Sequence, residues 1–119
     1  STRGLFLHWA DVQKIGKFHT KILPHYLSDY EYTIRAGKKG IKLESSPELI
    51  VTPDFSTTGY RTFESKGIEF LKKYFSKRST ANPIYNSSFI FLTISFPYNI
   101  YHFLRIWAGA LYHILRRMW

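Results

Sequence analysis

The sequence SSFIFLTISFPYNIYHFL runs from Ser87 to Leu104 and forms the centre of a longer tract without charge. From Ser79 to Leu104, twenty-six residues pass without Asp, Glu, Lys or Arg. A helix of about 20 apolar residues spans roughly 30 Å, the thickness of the hydrocarbon core of a bilayer. The tract therefore predicts an all-α membrane protein with one C-terminal transmembrane helix, which continues into a basic tail over residues 84–117.

The competing interpretation is a core helix of a small soluble protein. It is supported by polar residues in the tract, namely Asn86, Ser95, Asn99 and His102. A core helix is rarely apolar all round over such a length, however. The residues before the tract also show too little apolar periodicity to enclose it. These two observations favour the membrane span.

Charge and composition limit the classes of function. The 119-residue chain has a formal net charge of +9, 18% aromatic residues and no cysteine, which excludes disulfides and thiol chemistry. All eight acidic and fourteen of the seventeen basic residues precede Ser79. By the positive-inside tendency, the part before the span is expected on the matrix or cytoplasmic side, although both flanks are basic.

A basic chain rich in Tyr and Phe is also typical of a small ribosomal protein. The sequence carries no recognisable RNA-binding signature, such as an aromatic RNP motif. The GKKG sequence at Gly37–Gly40 is short and more typical of a solvated turn. No nucleic-acid partner is therefore expected.

Hydrophobic spacing divides the chain before the span into three regions. Residues 1–35 form an amphipathic and aromatic helical region, whose basic helix ends before Pro24 and docks on either a membrane surface or a partner subunit. Residues 36–61 are rich in Gly, Ser and Pro, which predicts an extended connecting segment. Residues 62–78 repeat apolar side chains at three and four, which predicts an amphipathic membrane-surface helix N-capped by Thr62.

Basic residues flank the predicted span. They are expected to contact lipid headgroups and comprise Lys72, Lys73, Lys77, Arg78 and Arg105. Within the span, small and polar side chains recur at helical spacing in what we call the polar stripe: Ser88, Leu92, Ser95, Asn99 and His102. Membrane helices present such stripes to protein neighbours, so the opposite side, with Phe96, is expected to meet lipid. Pro97 has no N–H for the Thr93 carbonyl, which predicts a bend.

The residues of an active site are not found. The sequence has no GxxxxGK[ST] phosphate loop and no G-x-S-x-G elbow, and its five histidines do not pair with carboxylates at metal-ligand spacing. The chain is therefore expected to be non-catalytic, without a metal or cofactor. Bound phospholipid such as cardiolipin is compatible with this interpretation.

One motif resembles a known family. Asp54-Phe55-Ser56-Thr57-Thr58-Gly59 is followed by Lys66-Gly67, an aromatic basic helix with Tyr74, one predicted span and a basic tail. This arrangement, over roughly 53–119, resembles a divergent form of subunit f of the mitochondrial ATP synthase. Residues 1–52, Pro97 and the extension over 107–115 lie outside the family pattern.

The resemblance implies a non-catalytic, single-pass subunit of the mitochondrial inner membrane, with its N-terminal part in the matrix. Its expected partners are the proton-channel subunit, the membrane helices of the peripheral stalk and membrane lipids. Its expected role is to brace the stator, supporting proton-driven ATP synthesis and enzyme dimerisation. The alternatives are an accessory subunit of a respiratory-chain complex and a small basic mitochondrial ribosomal protein.

Overall fold

A computed structural model describes residues 5–48, 50, 52 and 65–118 of the chain. These residues form α-helices and no strand. The helices are α1 (Trp9–Ile15), α2 (Ser28–Lys38), α3 (Gly67–Tyr74), α4 (Pro83–Thr93) and α5 (Tyr98–Met118). The all-α class predicted from the sequence is confirmed for the described residues.

The first two helices and their connection form what we call the N-terminal unit. Ile15 of α1 packs with Tyr32 and Ala36 of α2 in a small buried cluster, and the Phe18 ring stacks on Tyr32 with centroids 4.1 Å apart. The predicted first helix extended towards Pro24, but α1 ends at Ile15. It ends there because Gly16 has φ of 90°, a conformation outside the helical range that glycine adopts at low cost.

A charged network joins the two helices of the N-terminal unit. Glu31 is buried, and its carboxylate accepts two hydrogen bonds from Arg35, at 2.9 and 3.1 Å. The same guanidinium donates to the carbonyls of Ile15 and Lys17, both at 3.0 Å. The Ile15 carbonyl ends α1 and the Lys17 carbonyl lies just beyond it, so Arg35 satisfies carbonyls that have no partner within the helix.

The remaining helices, with residues 65–118, form the C-terminal unit. Phe70 and Tyr74 of α3 are buried against Ala110 of α5, with Ile114 packed beside them. Asn82 connects α3 to α4: its side-chain amide donates to the carbonyl of Phe75 at 2.8 Å and its oxygen accepts from the Ile84 N–H at 3.0 Å. Pro83 follows at the first helical position, where a missing N–H costs nothing.

Helices α4 and α5 form an antiparallel hairpin. The Phe91 and Phe103 rings lie 5.6 Å apart, and the Trp107 indole N–H donates to the Ser87 hydroxyl at 3.1 Å. Each pair is placed symmetrically about residue 97, which is the pattern of two helices that run in opposite directions. The N-terminal unit meets the turn of this hairpin, where Lys38 donates to the Thr93 carbonyl at 2.8 Å.

The single helix predicted over residues 84–117 is corrected by this hairpin. The sequence predicts a bend at Pro97, but residues 94–97 leave the helix altogether and the chain reverses. Pro97 cannot supply the N–H that would continue α4, and Ile94 already has an extended conformation. Among the helices of the described residues, none has both the length and the apolar character needed to cross a bilayer.

The other predicted boundaries shift as well. The segment predicted as extended from residue 36 begins inside α2, which continues to Lys38. The surface helix predicted over 62–78 is α3, which ends at Tyr74. Its predicted N-cap, Thr62, lies outside the described residues.

Candidate membrane and subunit interface

The outward surface of α5 is apolar over its whole length. The side chains that pack inward on α3 and α4 occupy one side, leaving large apolar residues on the other. We call this exposed side the outer face; it comprises Ile100, Tyr101, Leu104, Trp107, Leu111, Tyr112, Leu115 and Met118. Leu104 is 61% exposed, although a folded chain gains most by burying such a residue. Contiguous apolar patches of this kind mark protein or membrane contacts.

Two arginines follow one edge of the outer face. Arg105 and Arg116 are both exposed and stand eleven residues apart, which is about three turns and places them on one line along the helix. Arg117 is half-buried on the inward side. The outer face therefore has a cationic border.

The other predicted headgroup residues lie on or just after α3. Lys72, Lys77 and Arg78 are exposed. Lys73 is half-buried and forms an ion pair with Glu69 at 2.7 Å. This pair lowers the pKa of the Glu69 carboxyl, because the Lys73 ammonium donates a hydrogen bond to it and attracts its charge. Glu69 is the last acidic residue of the sequence, and seven basic residues follow it.

Polar side chains of the uncharged tract bond within the chain. Ser88 donates to the Ile84 carbonyl at 3.0 Å, and Thr93 donates to the Phe89 carbonyl at 2.7 Å. Asn86 donates to the Asn82 carbonyl at 2.9 Å. Bonds to the carbonyl four residues earlier let a polar side chain remain on a helix in an apolar environment. These three polar side chains of α4 are therefore compatible with an apolar environment.

The polar stripe is divided by the hairpin. Ser88 and Leu92 lie on α4, whereas Asn99 and His102 lie on α5, and all four are half-buried. Ser95 is exposed in the turn between the helices. The predicted stripe required one continuous helix. Because α4 and α5 are separate helices, these five residues do not share one helix face. Phe96, expected on the lipid side, is 79% exposed in the same turn.

The family motif falls partly within the structure. Asp54, Phe55, Ser56 and Gly59 lie outside the described residues. Lys66 is exposed and precedes α3, and Gly67 begins α3 with φ of 58°, which favours glycine. Tyr74 is buried, with its ring 5.1 Å from that of Phe70, and burial raises the pKa of its phenol. Tyr74 therefore has a packing role in the C-terminal unit.

Three contacts that organise the two units are not predicted from the sequence. They are the buried Glu31–Arg35 pair, the bond from Trp107 to Ser87 and the bond from Lys38 to the Thr93 carbonyl. The first had a signal, since Glu31 and Arg35 are spaced as helical ion-pair partners. The other two join residues that only the reversal at Pro97 brings together.

Comparison with known proteins finds no matching family, no matching curated protein and no matching solved structure. In the part of the chain that the structure describes, no three His, Cys, Asp or Glu side chains gather where they could hold a metal ion. The described residues present an apolar outer face with a cationic border, which is suited to docking.

Proposed function

We propose that the chain is a non-catalytic structural subunit of the membrane sector of mitochondrial ATP synthase. The observation that carries its membrane location is the outer face of α5 with its arginine border. An apolar surface bounded by basic residues fits the boundary between acyl chains and anionic headgroups. The ATP synthase itself is suggested by the resemblance over roughly 53–119, including Lys66, Gly67 and Tyr74.

The proposed role is to brace the stationary part of the enzyme at the matrix side of the inner membrane. The C-terminal unit attaches to lipid, and the N-terminal unit offers a second exposed surface to partner subunits. Trp9 of that unit is 72% exposed and Phe6, just before α1, is 74% exposed. Large aromatic side chains dominate binding energies at protein interfaces. The partners proposed are the proton-channel subunit and the membrane helices of the peripheral stalk.

The test is affinity purification of the tagged full chain from mitochondria in mild detergent, followed by mass spectrometry. Recovery of ATP synthase subunits in stoichiometric amounts is expected. Recovery of respiratory-chain subunits, or of ribosomal proteins, without ATP synthase would overturn the proposal in favour of one of the alternatives.

A pair of variants sharpens this test. Trp9→Ala is expected to reduce recovery of partner subunits at least tenfold, because about 1.4 kcal/mol corresponds to a tenfold change in affinity. Tyr30→Ala is the matched control, since Tyr30 is an aromatic residue of the same unit that is 46% exposed. If both variants recover as much of the partner subunits as the wild type, Trp9 does not belong to the interface.

A further inference from the structure

The outer face of α5 has the geometry of a helix that lies along a surface. With residues placed at 100° intervals, the apolar side chains of the outer face cover roughly 140° of the circumference of α5. Trp107 lies at one edge of this arc and Tyr112 at the other. Leu104, Leu111 and Leu115 stand near the centre of this arc. Arg105 and Arg116 lie together just beyond one edge. The arc continues over 21 residues, or about 31 Å.

Charge complementarity identifies the occupant of this face as an anionic bilayer. The outer face and its border carry no acidic residue, and the neighbouring α3 adds exposed Lys72 to the same C-terminal unit. A bilayer with anionic headgroups presents negative charge directly above an apolar layer. A helix whose apolar face adjoins arginines matches both layers when it lies in their plane.

The position of Arg105 distinguishes lying on the bilayer from crossing it. Arg105 is three residues from the middle of α5 and is exposed at the edge of the outer face. In a crossing helix its charge would fall near the centre of the hydrocarbon layer, where a guanidinium is strongly disfavoured. In a helix that lies flat, the same side chain reaches the headgroups along the edge of the apolar arc.

The packing of α3 supports the same orientation. Phe70 and Tyr74 of α3 cover Ala110 on the inward side of α5, close to the middle of the helix. This packing holds the exposed Lys72 of α3 near the middle of α5. If α5 crossed a bilayer, Lys72 would enter the hydrocarbon layer with it. With α5 lying flat, α3 remains on the aqueous side.

We propose that α5 lies parallel to an anionic phospholipid surface, with its outer face in the acyl-chain boundary and Arg105 and Arg116 on the phosphates. This inference rests on the membrane location proposed above and replaces the transmembrane topology expected from the sequence. Both ends of the hairpin then lie on one side of the bilayer. The orientation of α5 does not depend on which enzyme complex the chain belongs to, so failure to recover ATP synthase would not contradict it.

A depth profile tests the orientation. The chain has no cysteine, so single cysteines at Ile100, Leu104, Leu111 and Leu115 can each carry an environment-sensitive fluorophore in the full-length protein. The probe membrane is a phosphatidylcholine vesicle containing one-fifth cardiolipin, with quenchers at known acyl-chain depths. All four labels are expected at one shallow depth, about 5–10 Å below the headgroup boundary. Ile34→Cys, at an exposed apolar position of α2, is the control and is expected to stay in water.

Two profiles would overturn the proposal. A depth that rises towards the middle of α5 and falls again would show a crossing helix. Four labels that all remain in water would show that the face does not meet lipid. Neither result bears on which subunits the tagged chain recovers from mitochondria.

Charge variants test the headgroup contact and the competing occupant. Leu104→Glu is expected to weaken vesicle binding at least tenfold, and Ile34→Glu to leave it unchanged. Arg105→Gln with Arg116→Gln is expected to weaken binding to the cardiolipin vesicles about thirtyfold but not to pure phosphatidylcholine, since each of the two surface charges contributes about 1 kcal/mol. If Leu104→Glu instead dissociates a dimer in solution and leaves vesicle binding intact, the occupant is a second copy of the chain and the proposal fails.

Discussion

The N-terminal unit and the C-terminal unit each pack around a small buried cluster, but the polar contacts that complete the two units differ. In the N-terminal unit, buried Glu31 and the guanidinium of Arg35 join α1 to α2 through charge-assisted hydrogen bonds. In the C-terminal unit, Phe70 and Tyr74 pack on Ala110, and the polar groups of α4 bond to their own backbone. Water solvates charged side chains well, whereas a helix whose polar side chains bond to its own backbone also suits an apolar environment.

This difference fits the membrane location proposed above for the C-terminal unit. The N-terminal unit contains both acidic and basic residues and keeps the buried contact between Glu31 and Arg35. The C-terminal unit has no acidic residue after Glu69 and exposes the outer face of α5. The comparison therefore supports an aqueous N-terminal unit and a C-terminal unit that rests on lipid.

The largest effect is expected from the packed cluster of the C-terminal unit. Phe70→Ala removes a fully buried ring between α3 and α5 and should lower the free energy of unfolding by about 3–5 kcal/mol. Chemical denaturation followed by circular dichroism measures the change. Phe75→Ala is the control, since Phe75 is 37% exposed, and it should cost much less. Similar losses for both variants would show that α3 does not pack on α5 as described.

The buried ion pair of the N-terminal unit comes next. Glu31→Gln leaves the Arg35 guanidinium without its carboxylate and should lower the free energy of unfolding by about 3 kcal/mol. The control is Glu44→Gln, which removes an exposed pair with Lys42 and should cost less than about 1 kcal/mol. If the two substitutions cost the same, the charged network does not hold this unit together.

Asn82 tests the connection between α3 and α4. Asn82→Ala removes a buried side chain that bonds the Phe75 carbonyl and the Ile84 N–H, so a loss of about 2 kcal/mol is expected. Ser88→Ala, which removes only a bond within α4, should change stability by less than about 0.5 kcal/mol. Hydrogen exchange measures where stability is lost. Asn82→Ala, but not Ser88→Ala, is expected to lose protection at the start of α4.

The smallest effect concerns Tyr74 at high pH. Because burial raises the pKa of this phenol in the folded chain, the unfolded chain releases the proton first as pH rises above about 10. The contribution of Tyr74 is therefore fully present below that pH and is lost above it. Tyr74→Phe should be less sensitive to alkali than the wild type in unfolding curves between pH 8 and 11. Parallel curves would contradict a buried phenol.

The sequence predicted the helical class and the approximate place of α1, α3 and the uncharged tract, because apolar spacing reports which residues a helix buries. In the region of α2, neither the helical nor the strand period dominates. It did not predict the hairpin. A proline such as Pro97 predicts a bend in many long helices, and local pattern does not distinguish a bend from a reversal. Contacts between distant residues, such as Phe91 with Phe103, decide that outcome.

The candidate surface was predicted in part. Arg105 and the lysines of α3 were identified because charge at the border of an apolar tract is visible in the sequence. The spacing of the polar stripe places its residues on one face only if residues 84–117 form a single helix. Once the chain reverses between Leu92 and Asn99, the same spacing describes two helices that pack on each other.

The distance between spin labels at Ile84 and Leu111 tests the hairpin, on which both the outer face and its orientation depend. Both residues are exposed, and the chain has no native cysteine to interfere with labelling. Measured by double electron–electron resonance in cardiolipin-containing vesicles, the antiparallel hairpin predicts a separation below about 25 Å, since packed helix axes lie about 8–10 Å apart. A separation of about 40 Å, the length of one continuous helix between these positions, would contradict it.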